Sequence, residues 1–135
     1  MDMTEDIQIR QLLVNGEIRL AGYYLNKYPD HKLLKIWKAV LEHEYPKLHE
    51  LLQTEALKFQ LDLMKFVAKM LCDLAVALSV NEVQYYLGPY KQQIVDLFDW
   101  ELKNGFYILK DQPKSVLTLE ELKDINNALL KVNEE

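Results

Sequence analysis

TEALKFQLDLMKFVAKMLCDLAVAL occupies residues 54–78 and contains neither glycine nor proline. From Lys58 onward its charged residues Lys58, Asp62, Lys65, Lys69 and Asp73 recur at spacings of four, three, four and four. Residues three and four apart share one face of an α-helix, so these charges form a single seam. Leu57, Leu61, Leu63, Met64, Phe66, Val67, Met70, Leu71, Leu74, Ala75 and Leu78 fill most of the remaining circumference. A helix apolar on most sides needs neighbours on most sides. The stretch therefore predicts a central helix over about 54–78, wetted along one seam and wrapped elsewhere by the rest of the chain. Four charges between Leu61 and Val80 exclude an ordinary membrane-spanning helix there.

Helix signals continue outward in both directions. On the N-terminal side Thr4 reads as an N-cap, with Glu5 and Asp6 set against the positive end of the helix dipole. Ile9, Leu12 and Leu13 give that helix an apolar face, and Asn15-Gly16 either stops it or sits within a longer one. Ile18, Leu20, Ala21, Tyr24 and Leu25 carry the pattern to Lys27. Pro29 ends that segment, and Asp30 reads as the N-cap of a helix striped by Leu33, Leu34, Trp37, Val40 and Leu41. Tyr45-Pro46 marks a further junction, with the proline suited to a first helical position.

On the C-terminal side, Ser79-Val80-Asn81-Glu82 is a capping box that opens a short helix ending at Gly88-Pro89. The next helix is expected from about Tyr90 to Lys103, with Tyr90, Ile94, Leu97 and Phe98 on one face and Asn104-Gly105 as its stop. Phe106 to Leu109 is the strand-like run, which either pairs with Ser115-Val116-Leu117 as a small hairpin or runs as an extended connector. Thr118-Leu119-Glu120-Glu121 is a second capping box, with Leu117 and Leu122 at the flanking staple positions. A last helix is expected to bury Leu122, Ile125, Leu129 and Val132. Tyr23-Tyr24-Leu25 recurs as Tyr85-Tyr86-Leu87, each followed by a proline turn and an amphipathic stretch. A duplicated helical hairpin is one explanation, and chance in a tyrosine-rich chain is the other.

The expected fold is all-α: a compact bundle of five to seven helices around the 54–78 helix, with room for one small β-hairpin near 106–117. The 135 residues suit one domain, 1–135. Half of them are hydrophobic, so the core needs no metal or disulfide to stand up. The lone cysteine, Cys72, precludes a disulfide within the chain, and the first residues are acidic where a secretory signal is basic. Together they set the expectation of a soluble protein in the reducing cytoplasm. The formal net charge is −5, and only two arginines stand against fourteen lysines. Reading of phosphate and guanine leans on arginine, so nucleic acid is disfavoured as a partner.

Each candidate for chemistry has a plainer reading beside it. His43 and His49 are six apart and straddle Pro46, whereas the helical zinc-protease pattern sets its histidines four apart. A polar corner between helices explains them without a metal. Cys72 has no histidine near it in sequence and reads as a small buried hydrophobe. Asp96, Asp99 and Glu101 read as a solvated helix face rather than as an acid–base pair. Lys27, Lys32, Lys35 and Lys38 read as a solubilising surface. No glycine-rich phosphate loop or hydrolase motif is present. No residue is therefore assigned to catalysis, to a cofactor or to a metal.

Tyr85, Tyr86 and Tyr90 flank the Gly88-Pro89 break, and Trp100 follows on the next helix. Tyrosine and tryptophan bury large area at low entropic cost, so this group is the expected partner-binding surface. The functional expectation is a non-enzymatic protein–protein interaction module, of the regulator, adaptor, inhibitor or immunity type. A self-assembling subunit of a homo-oligomer is the first alternative. A small metal-dependent enzyme centred on His43 and His49 is the second.

Overall fold

The computed structural model describes residues 1–110. Helices α1 (Met3–Val14), α2 (Ile18–Leu25), α3 (Lys32–Leu41) and α4 (Tyr45–Leu52) lead into the long α5 (Leu57–Leu74). Strand β1 (Ala77–Ser79), α6 (Val80–Leu87), a 3₁₀ turn at Gly88–Tyr90, α7 (Lys91–Phe98), β2 (Glu101–Lys103) and β3 (Phe106–Ile108) follow. The architecture is the expected helical one with a small β element. Successive helices α1 to α4 pack as neighbours, and α5 is covered by α1, α6 and α7. The expected last helix and Ser115–Leu117 lie outside the described residues.

Helix α5 buries Phe59, Gln60, Leu63, Met64, Val67, Ala68 and Leu71, a stripe at three- and four-residue spacing. Lys58, Lys69 and Asp73 are exposed along the expected seam. The rod is shorter than 54–78. Ala56 caps its start at φ −58° and ψ 140°, and Ala75 leaves it in extended backbone at φ −145° and ψ 150°. The apolar run Ala75–Leu78 suits helix or strand equally by pattern, and tertiary pairing decides. Ala77–Ser79 joins β3, and the Leu109 N–H donates to the Val76 carbonyl at 2.9 Å. The wrapping is also less complete than expected, because Leu57 and Leu74 at the two ends of α5 are exposed.

Just before α5, Glu55 ties three elements together. Its nearly buried carboxylate accepts from Arg10 of α1 and from Lys32 of α3. Arg10 also donates to Asp6 at 2.6 Å. Burial pushes the Glu55 carboxyl up, but the hydrogen bonds from Lys32 and Arg10 outweigh it and hold the group below the ordinary carboxylate value.

Two helix N-caps lie one or two residues from their expected positions. Asp2, not Thr4, caps α1 by accepting from the Glu5 N–H at 2.8 Å. His31, not Asp30, caps α3 through Nδ1, which accepts from the Leu33 N–H at 3.0 Å. Gly16 is a true break at φ +78°, and a Cβ there would meet the Phe66 ring at 2.6 Å. The capping box at Ser79 and Glu82 forms as expected.

The helix expected to reach Lys103 stops at Phe98. Asp99 turns left-handed at φ 57°, and the Trp100 N–H reaches back to the Val95 carbonyl at 3.1 Å. The hairpin partner differs too. Phe106–Ile108 lies between β2 and β1 in an antiparallel sheet of order β1-β3-β2, with Leu102 and Leu78 both opposite Tyr107. Asn104 and Gly105, both at positive φ, make the two-residue turn that joins β2 to β3. The same dipeptide that reads as a helix stop is here a hairpin turn.

Candidate functional site

Three tyrosines from two helices meet at one end of the bundle. Tyr45 opens α4, while Tyr85 and Tyr86 close α6. The Tyr45 ring lies 5.8 Å from Tyr85 and 5.0 Å from Tyr86, and the latter two stand 5.4 Å apart. All three pairs are edge-to-face, with interplanar angles of 80°, 72° and 74°. That arrangement sets the positive rim of one ring against the negative face of the next, worth about 0.5–1.5 kcal/mol per pair beyond burial.

His43 holds the junction that aims Tyr45. It sits left-handed at φ 57°, just past the end of α3. Its N–H and that of Glu44 donate back to the carbonyls of Val40 and Ala39, closing α3 with the bond pattern usually built on glycine. The His43 carbonyl accepts from the Tyr85 hydroxyl at 3.0 Å, and its Nδ1 shares a 3.0 Å hydrogen bond with the Tyr45 hydroxyl. Burial first, then the neighbouring Tyr86 and Tyr85, push the Tyr45 phenol up to about 12, so it stays protonated at any physiological pH.

Behind the tyrosines, His49 of α4 locks α6 in place. Its Nε2 donates to the Tyr86 carbonyl at 2.8 Å. The ring sits so close to Gly88 that a Cβ there would stand 2.4 Å from Nδ1. Burial lowers the His49 pKa, and the bond to Tyr86 opposes that only in part. His49 is thus a neutral, buried donor. Among the described residues no group of three or more His, Cys, Asp or Glu side chains converges as a cation site.

In front of the tyrosines lies an open cleft of about 390 Å³, lined by His43, Tyr45, Tyr85, Tyr86, Met70, Leu71 and Leu74. Leu74 is 75 % exposed and Tyr85 46 % exposed. The expected surface group therefore divides. Tyr85 and Tyr86 come together on the cleft. Tyr90, only 4 % exposed, turns inward, where its hydroxyl donates to Gln60 at 2.6 Å and accepts from Gln53 at 3.1 Å. Trp100, also 4 % exposed, packs against Phe98 with ring centroids 5.6 Å apart. Both belong to the core.

Sequence reading missed Tyr45 and the α5 residues Met70, Leu71 and Leu74. Tyr45 reads only as a marker of the proline junction, and nothing in its local sequence announces a ring on α6.

Cys72 is half-buried, with its Sγ donating to the Lys110 carbonyl at 2.8 Å. No helix among the described residues is long and apolar enough to cross a membrane. Comparisons with family models, curated proteins and solved structures find no match to this chain.

Proposed function

We propose that the chain is a non-enzymatic protein–protein interaction module and that the tyrosine cleft is its contact surface. The observation that carries the reading is the open aromatic and aliphatic cleft, walled by Tyr85, Tyr86 and Tyr45 and flanked by the exposed Leu74. A concave, largely apolar site walled by tyrosine rings suits one inserted apolar side chain of a partner, the usual form of an energetic anchor. The Tyr85 hydroxyl is engaged with the His43 carbonyl and the Tyr45 hydroxyl with the His43 ring. They serve as walls rather than as acid, base or nucleophile. His49 is committed to the Tyr86 carbonyl, which argues against a reactive or metal-binding role for that ring.

Affinity capture from the native host, followed by mass spectrometry, tests the reading. A protein retained by the wild type should be lost with Tyr85→Ala and with Leu74→Glu, because the anchor and its neighbouring wall are removed. A partner retained undiminished by both variants sinks the cleft as the contact surface. The homo-oligomer alternative draws on the exposed edge strand β2 with its exposed Leu102. Glu101 and Lys103 flank that leucine and blunt the edge. A mass in solution that stays monomeric across concentration removes this alternative.

A further inference from the structure

A trough runs between α1 and α5, and no residue that lines it lines the tyrosine cleft. Two contiguous depressions of about 240 and 380 Å³ compose it, sharing Gln11, Val14, Lys58 and Asp62. Ile7 lines one end together with Ala56 and Phe59, and Asn15 lines the other together with Phe66 and Lys69. The two helices therefore run the same way along its sides. A trough between two side-by-side helices is the seat that a third helix fills with a ridge of its own side chains.

Its floor is apolar and its α5 rim is cationic. Ile7, Val14, Phe59 and Phe66 supply the floor, and Ile7 is 55 % exposed. On the rim, Lys58, Lys65 and Lys69 stand against the single acid Asp62. Asp62 is paired with Lys58 at 2.7 Å and lies 3.7 Å from Lys65, while Lys69 is exposed beside them. Arg10 also lines the trough, but it is committed to Asp6 and Glu55. A cationic rim in a chain whose formal net charge is −5 selects an anionic occupant. A nucleic-acid backbone would leave the apolar floor unused, whereas an amphipathic helix uses floor and rim together.

The spacing of the rim fits that occupant. Lys58, Lys65 and Lys69 lie seven and four residues apart on one helix, which is about 10 and 6 Å along its axis. A helix laid alongside has the same rise per residue, so acids at the same spacings meet all three lysines. From Ala56 to Lys69 the trough is about 20 Å long, room for about 13 helical residues. We propose that the α1–α5 trough is a docking site for an acidic amphipathic helix of a partner protein. The apolar face of that helix lies on Ile7, Phe59 and Phe66, and its carboxylates lie along Lys58, Lys65 and Lys69.

Fluorescence anisotropy with the full chain tests the assignment. The probe is a labelled helical peptide of about 15 residues, with leucines at every third or fourth position and glutamates seven and four apart beside them. It should bind about tenfold or more tighter than its lysine-for-glutamate counterpart and than a scramble of the same composition. Lys65→Glu/Lys69→Glu should reverse the preference, losing the acidic peptide and gaining the lysine one. That gain also shows that the variant is folded. No binding by the wild type, or an acidic-peptide affinity indifferent to the reversal, would overturn the proposal. Equal binding of the scramble, or competition by an oligonucleotide of equal charge as effective as that of unlabelled peptide, would assign the trough to polyanions in general and overturn it too. Self-association of the chain that competes with the peptide and is lost in the reversed variant would assign the trough to a second copy and overturn it equally.

Discussion

Tyr23-Tyr24-Leu25 and Tyr85-Tyr86-Leu87 close two eight-residue helices, α2 and α6, and locally they are near copies. In each, the two rings stand 5.4 Å apart, at 77° in the first and 74° in the second, and the leucine is buried. Beyond that the two regions diverge. Tyr23 and Tyr24 face solvent, with the Lys27 ammonium 5.5 and 5.7 Å from their ring centres. Tyr85 and Tyr86 meet Tyr45 and become the wall of a cleft. The glycines differ as well. Gly22, just before the first pair, lets Trp37 press on the backbone of α2, whereas Gly88, just after the second, admits the His49 ring. A tripeptide on a helix end specifies a ring pair; a third ring, Tyr45 from a distant element, is what the α6 pair gains and the α2 pair lacks.

The comparison can be broken most forcefully at Tyr45. Tyr45→Ala should cost about 3–5 kcal/mol in urea unfolding, since it deletes a ring that is fully buried and touches both α6 tyrosines. A loss under about 1 kcal/mol would mean that the rings of α6 do not depend on it. Gly88→Ala comes next, at about 1–3 kcal/mol, because the new methyl collides with His49 at a backbone φ of +48°. An unchanged midpoint would show that the His49 ring can move aside at no cost.

His49 supplies a pH test of the same joint. Its folded pKa lies below the ordinary 6.5 because burial disfavours the charged ring. The unfolded chain therefore binds this proton more readily, so the contribution is intact above pH 6.5 and is lost as pH falls from there toward the folded value. Chemical unfolding across that window should show stability falling with pH, and His49→Gln, which keeps a donor for the Tyr86 carbonyl, should flatten that step. A step of the same size in His49→Gln would place its origin elsewhere. The smallest effect belongs to the other tripeptide. Tyr23→Ala should change stability by under about 0.5 kcal/mol and leave partner capture intact, because its ring stands in solvent over Lys27. Loss of capture in that variant would erase the distinction between the two regions.

Much of the helical frame was legible because it rests on local chemistry. The seam of Lys58, Asp62, Lys65 and Lys69 located α5, the Ser79–Glu82 box located α6, and Gly88-Pro89 located its end. What misled was chemistry with two local solutions. Asn-Gly ends helices and also turns hairpins, and at Asn104-Gly105 the second use prevailed because β1 was there to take the third place in the sheet. Ala75–Leu78 suited a helix until β3 offered it a ladder. At the site, Tyr85 and Tyr86 were legible as a pair, whereas Tyr90 and Trp100 share their composition and yet fill the core.

By itself the amino-acid order determined where helices form and which stripe of each is apolar, since spacing, caps and breaking residues act within a few positions along the chain. Which tyrosines wall the cleft, which ring presses on which glycine, and where α5 gives way to strand were decided only by tertiary contact. Those outcomes depend on groups far apart in sequence, such as Tyr45 with Tyr85 and Ala77 with Ile108, whose meeting no local pattern encodes.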